Sequence, residues 1–199
     1  MLTFTNRNTG MVQHYTLEPV ISTLEKGGLI LFPTDTIWGI GCDATNAEAV
    51  GRVRSLKQTK NREPLVILVA SIEMLKNYVA YIHPRVETLL LFHSRPLTVI
   101  YDEGVNLPEN ALGADGSVAI RIPQDEFCQS LLQIFGKPIV ATSAHIGDAP
   151  YPRHFGEISS AVIEGIDYVV KHRQMEKEMG EPSVIARLGE DEELSFIRE

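Results

Sequence analysis

Residues 29–41 read LILFPTDTIWGIG, and the fold turns on how this stretch divides. Leu29 to Phe32 form an unbroken apolar run between the Gly27-Gly28 pair and Pro33, the pattern of a short buried strand. Pro33 removes a backbone donor and fixes φ, so the strand ends there, and PTDTIWGIG is expected as a loop whose backbone is set by Pro33 and two glycines. Upstream, Thr16 is expected to cap a helix that runs through Lys26 and stops at the glycine pair, preceded by an edge strand from Val12 to Tyr15. Downstream, Ala47, Val50, Val53 and Leu56 recur along one face, which predicts a helix over 46–58.

The alternation continues to the end of the chain. LVILVA at 65–70 reads as a central strand, Ser71 caps a short helix carrying Ile72, Leu75 and Val79, and 83–93 is a helix with Pro84 in its first turn. Strands are expected at 97–101, 118–122, 139–142, 167–170, 183–188 and 194–198, with helices at 125–135 and 155–163. Alternating strands and helices without repeats or linkers define one α/β domain over 1–199, with an ordered core over about 12–199 and its sheet covered by helices. The stretch 102–117 is the longest loop, of a length that is usually functional or mobile.

The chain has 199 residues, 44% hydrophobic and 22% charged, which are ordinary globular values. A net charge of -8 argues against a surface that tracks nucleic acid throughout. Yet Arg52, Arg54, Lys57, Lys60 and Arg62 fall within eleven residues with no acid among them, which points to a local anion site on an acidic body. The start of the chain lacks a basic segment followed by an apolar one, and no apolar run approaches membrane length, so a cytoplasmic protein is expected, neither secreted nor embedded in a membrane. Cys42 and Cys128 have no metal-ligand spacing and read as free structural thiols in a reducing compartment.

No P-loop and no GxGxxG motif is present. The polar motifs lie at strand ends instead: PTDTIWGIG (33–41), LKQTKNREPL (56–65), RPLTVIY (95–101), VAIRIP (118–123), ATSAHIGDAP (141–150) and GEPSVIARL (180–188). In order and spacing this set resembles the YrdC family, with its PTDT-type turn, KxR block before PL, RxP strand, TSAN block and late ST element. The resemblance runs from about Gly28 to the C-terminus. It implies an open, twisted mixed sheet with a concave, basic face. It also implies synthesis of threonylcarbamoyl-AMP and pyrophosphate from L-threonine, bicarbonate and ATP with magnesium, a nucleotidyl transfer that serves tRNA modification through downstream transfer proteins.

Such chemistry needs fixed cations where charge accumulates on the phosphates, and an arginine fork with hydroxyl partners for an amino acid. Carried over, the resemblance makes Lys57 and Ser143 catalytic and assigns Lys57, Lys60, Arg62, Ser143 and His145 to ATP. Thr36, Arg121, Thr142 and Ser183 are assigned to threonine, with no resident metal. For Arg121 the alternative is a surface arginine, since alternation sends it to the face opposite Ile120 and Ile122. Asp35 either binds a water or magnesium or stabilises its turn.

Two motifs depart from the family. KxR reads Lys57-Gln58-Thr59, and TSAN reads Thr142-Ser143-Ala144-His145. Lys60 or Arg62 is placed to return the missing charge from a neighbouring position, with Thr59 and Arg62 one turn apart if helix 46–58 continued, and His145 offers one ring nitrogen where an asparagine offers its amide. His14, His83, His93, His154 and His172 read as structural or surface residues, and Glu190 to Glu193 as a solvated turn. The competing function is a non-catalytic or divergent protein of the same family that binds double-stranded RNA or nucleotide on the basic face. A carbamoyl-phosphate enzyme of the hydrogenase-maturation type would carry further domains that this sequence lacks.

Overall fold

The computed structural model describes residues 16–58, 63–177, 180–189 and 193–198. The expected edge strand at 12–15 lies outside these residues, as do Lys60, Arg62 and most of the 190–193 turn. The first helix, α1 (Glu18–Glu25), is not capped by Thr16: Leu17 holds the cap position without a side-chain bond. Pro19 in the first turn sets the start instead, because its missing N–H would have no helical acceptor there.

The α/β class with mixed sheets and flanking helices holds, and the strands divide between two sheets. β1 (Ile30–Phe32) pairs antiparallel with β2 (Gly39–Gly41), so the end of the expected loop is a strand. GIG has poor intrinsic strand preference, but β2 is sandwiched between β1 and β7 (Thr142–Ser143), and pairing on both sides overrides propensity. β8 (Tyr168–Val169) adds in parallel to β1, which gives the order β7-β2-β1-β8.

The second sheet contains β3 (Val66–Leu68), β4 (Leu97–Tyr101), β5 (Val118–Arg121), β6 (Ile139–Val140), β9 (Val184–Leu188) and β10 (Leu194–Arg198), ordered β10-β9-β4-β5-β3-β6. The single strand expected at 139–142 is therefore two short strands in different sheets, divided at Ala141, whose N–H donates to the Val66 carbonyl at 2.8 Å. The chain crosses between sheets at this point.

Alternation sorts the core. Leu31 and Ile67 face the larger cluster with Trp38, Val50 and Val99, while Ile30, Phe32 and Leu68 face the cluster under α1 and α5 (Glu126–Phe135). Cys42 and Cys128 are free and buried. The helix expected at 155–163 is broken: a 3-10 turn at Phe155–Glu157 precedes α6 (Ser160–Glu164), and the Ser159 side chain caps the latter. Two further helices are α3 (Ile72–Leu75) and α4 (Pro84–Phe92), the latter capped by the His83 ring, which accepts from Arg85 N. No helix among the described residues is long and apolar enough to cross a membrane.

The helix α2 (Ala47–Lys57) matters most for the site. Asn46 Oδ1 accepts from the N–H groups of Glu48 and Ala49 at 3.0 and 3.1 Å, and Gln58 ends the helix in the left-handed region at φ 51. The helix thus stops before 59, so the one-turn relation of Thr59 and Arg62 does not follow from it. The loop 102–117 braces α2: Asn110 Nδ2 donates to Ala47 O at 2.8 Å, and Arg54 donates to the carbonyls of Asn110, Glu63 and Leu112. Arg52 pairs with Asp167 at 2.8 Å. Two cations of the basic run thus hold the helix in place.

Gly41 marks the tightest crossing of β2 over its neighbours. A Cβ there would meet Phe32 Cε1 and the Val140 carbonyl oxygen, both at 2.6 Å. Gly41→Ala is expected to destabilise the fold by about 2 kcal/mol, in the range of other overpacking changes. Urea denaturation checks this, and an unchanged midpoint would mean that β2 yields without cost.

Candidate active site

Between the two sheets opens a cavity of about 800 Å³, within the range of small-molecule sites. Among the described residues its charged lining consists of Arg54, Lys57, Arg121 and Arg198 against Glu63 and Asp148, so cations outnumber acids there on a chain of net charge -8. All the sequence-assigned residues within the described part line it: Thr36, Lys57, Arg121, Thr142, Ser143, His145 and Ser183. Gln58 and Glu63, on either side of Lys60 and Arg62 in the sequence, line it as well.

Arg121, the last residue of β5, is 4% exposed, so the surface reading fails. Its Nη1 donates to Thr36 Oγ1 at 2.8 Å and its Nη2 lies 3.4 Å from Asp35 Oδ1. Asp35 is engaged further by Gln124 N, which donates to Oδ2 at 3.1 Å. Asp35 therefore anchors the guanidinium.

The hydroxyl protons can be followed. Thr34 Oγ1 donates to the Ile37 carbonyl at 2.9 Å, so in the 2.8 Å contact between Thr34 and Thr36 the proton comes from Thr36. Thr36 then keeps only a lone pair to offer. Arg121 Nε is buried without a hydrogen-bond partner among the described residues. A donor and an acceptor thus sit on adjoining groups, complementary to a carboxylate and an N–H or O–H of one small ligand.

Lys57, at the end of α2, donates from Nζ to the carbonyls of Ser143 and His145 at 2.8 and 2.7 Å, with Ser143 Oγ at 3.4 Å. Burial pulls its ammonium down to about 8. The His145 ring is pushed below its ordinary value by burial first and by Lys57 second, which keeps the imidazole neutral. Its Nδ1 is buried without a partner among the described residues.

Sequence reasoning missed Arg198. Its Nε donates to the Ser183 carbonyl at 2.9 Å and its Nη2 to Ser183 Oγ at 3.2 Å, and Ser183 Oγ also contacts Thr98 Oγ1 at 2.8 Å. Burial, and then the field of Arg121, weigh against the charge on Arg198. The pairing register slips between Phe196 and Arg198, so these two residues, which strict alternation puts on one face, line different cavities. The signal was available in the strand endings AIR (119–121) and FIR (196–198), each a lone arginine after apolar residues. Arg173 is a second omission, donating to the Thr34 carbonyl at 2.9 Å.

A family model for Sua5, YciO and YrdC proteins, described as telomere recombination, matches residues 22–199. The chain belongs to this family. Curated relatives named threonylcarbamoyl-AMP synthase include one from Pseudoalteromonas translucida, 31% identical over 80% of this chain and 87% of its own length. Another, from Xanthomonas euvesicatoria, is 29% identical over 77% and 84%. Among solved structures, Sua5 of P. abyssi complexed with L-threonine superposes with a TM-score of 0.77 at 26% identity, over 89% of this chain. This chain spans about half of that protein, 52% of its length. YciO of E. coli has a TM-score of 0.77 at 19% identity and shares the fold, over 95% of this chain and 91% of its own.

The depressed Lys57 has a consequence for stability. Between about pH 8 and pH 10.5 the unfolded chain holds a proton at this lysine that the folded chain has released, so stability rises with pH through that window. Relative to Lys57→Met, the wild-type protein is expected to gain unfolding free energy between those values and to run parallel to it between about pH 7 and 8. Chemical denaturation of both proteins across the range measures this, and a relative loss with rising pH would contradict it.

Proposed function

We propose that this protein is an L-threonylcarbamoyladenylate synthase, a nucleotidyltransferase that forms threonylcarbamoyl-AMP and pyrophosphate from L-threonine, bicarbonate and ATP. The observation that carries the reading is the presence, in one cavity, of a buried arginine fork beside a threonine acceptor and a buried lysine beside a serine hydroxyl. The names of the relatives and the threonine held by the P. abyssi protein support the choice of substrate.

Arg121 takes the threonine carboxylate on its Nε side, and Thr36 accepts from the ammonium or hydroxyl. Thr142 and Ser183 complete the amino-acid end of the cavity. The threonine amine adds to bicarbonate with loss of water, giving a carbamate. A carbamate oxygen then attacks the α-phosphorus of ATP, and the bond to the pyrophosphate oxygen breaks, with pyrophosphate leaving. Lys57, Ser143 and His145 face the nucleotide. Lys57 turns to the phosphates by exchanging its long contact with Ser143 Oγ, while the two carbonyl bonds hold it in place. Lys60 and Arg62, between Gln58 and Glu63 in the sequence, add charge for the nucleotide.

Magnesium fits as an ion carried by the nucleotide. Of the cavity's carboxylates only Glu63 and Asp148 are at hand, and the described residues contain no cluster of three His, Cys, Asp or Glu side chains. Phosphate oxygens and water would supply most of its ligands, as is usual for this ion, whose chemistry is to neutralise developing phosphate charge. The product would pass to downstream proteins that transfer the threonylcarbamoyl group to tRNA in the cytoplasm.

Arg121→Ala is expected to raise the threonine requirement of pyrophosphate release by about thirtyfold or more, equivalent to about 2 kcal/mol or greater for a buried charged contact. Arg121→Lys keeps a cation opposite Asp35 and so preserves the melting temperature better, yet it lacks the fork and should restore threonine use poorly. Steady-state kinetics with threonine varied at saturating ATP and bicarbonate, alongside thermal melts, separate the two effects. Unchanged threonine dependence in folded Arg121→Ala would remove Arg121 from the substrate site.

A further inference from the structure

Two cations of the sequence motifs lie outside the large cavity among the described residues: Arg187, which pairs with Asp102 at 2.7 Å, and Arg95, which has no such partner. It lines a second cavity, of about 330 Å³, on the other side of the β9-β10 edge. There Val184 and Phe196 face inward, while Ser183, Ile185 and Arg198 of the same segment face the large cavity. Leu89 of α4 and Leu97 of β4 complete an apolar floor. Among the described residues Arg95 is the only formally charged one in the lining; it is exposed and forms no ion pair there.

The surroundings are apolar and open. Phe196 and Ile197 are 50% and 60% exposed, and Leu91 and Phe92, immediately before the lining residue His93, are 64% and 81% exposed. β10 is also the last strand of its sheet and pairs only with β9 among the described residues. An edge without a second partner among the described residues is a template for another strand. Apolar residues gathered beside such an edge mark an interaction surface, since monomers rarely leave them exposed together.

We propose that this cavity and the outer edge of β10 dock an extended segment of a partner protein, with one large apolar side chain in the cavity and an acidic residue beside it facing Arg95. The volume is near the lower limit of small-molecule sites, roughly 300 Å³, and suits a single side chain. The lone cation selects the acid. Backbone pairing along β10 supplies the remaining affinity, as in other strand additions. A second copy of this chain is the poorer occupant, since each carries a net charge of -8.

The test uses the full chain and blocked hexapeptides with a central Leu, Phe or Trp flanked by glutamates, against a matched series flanked by lysines. Amide shifts in NMR spectra report binding. The glutamate series is expected to bind preferentially and to perturb Leu97, Val184, Phe196 and Ile197. Arg95→Glu should weaken it by about fivefold or more, a conservative figure for reversing one exposed charge, and shift preference toward the lysine series. Phe196→Ser, at a half-exposed position, should abolish binding while the fold persists. The proposal is overturned if neither series binds up to about 1 mM, if the two bind equally, or if Arg95→Glu leaves the preference intact. It is equally overturned if sedimentation shows a dimer that Phe196→Ser dissociates, because the chain would then cover its own edge.

Discussion

A buried arginine ties the two sheets together. Arg121 leaves the end of β5 in the six-stranded sheet and is held by Asp35 and Thr36 in the turn that joins β1 to β2 in the four-stranded one. Neither charge has much contact with water, their side chains being 5% and 9% exposed. Burying such a pair brings little net stability, while removing one partner strands the other and costs several kcal/mol. Geometry is what the arrangement provides. The turn must sit where the guanidinium reaches it, and the cavity forms in the space the two sheets enclose.

The other end of the cavity obeys a similar constraint. Lys57 is 3% exposed and joins α2 to the end of β7 and the residues just after it through the carbonyl oxygens of Ser143 and His145. Asn46 fixes where α2 starts, Gln58 where it stops, and the 102–117 loop holds its flank through Arg54 and Asn110. A loop that length alone marks as functional therefore acts as a brace. The ammonium is placed before any ligand arrives, and in the proposed reaction such placement would let it stabilise developing charge without reorganisation.

Much of this was legible because apolar periodicity and glycine or proline punctuation reflect burial directly. The strands at 97–101, 183–188 and 194–198 and the helices at 46–58 and 125–135 emerged almost as expected. What escaped depended on partners distant in sequence. GIG became a strand because β1 and β7 flank it, and the 139–142 strand divided because the Ala141 amide is drawn to Val66. Ser159 interrupted the 155–163 helix by capping the next one. Arg121 was recognisable as a site candidate, but its burial rests on Asp35 and Thr36 across the cavity. Arg198 reaches the cavity through a bulge that no alternation pattern records.

The proposed reaction joins a threonine-derived carbamate to an adenylyl group within one cavity. The direct measurement is to incubate the purified protein with ATP, magnesium, threonine and isotope-labelled bicarbonate and to analyse the nucleotide products by mass spectrometry. The expected product is an AMP adduct carrying both the threonine mass and the bicarbonate label, formed together with pyrophosphate and absent when either threonine or bicarbonate is omitted. ATP recovered intact, or an AMP product without the label, would contradict this reaction.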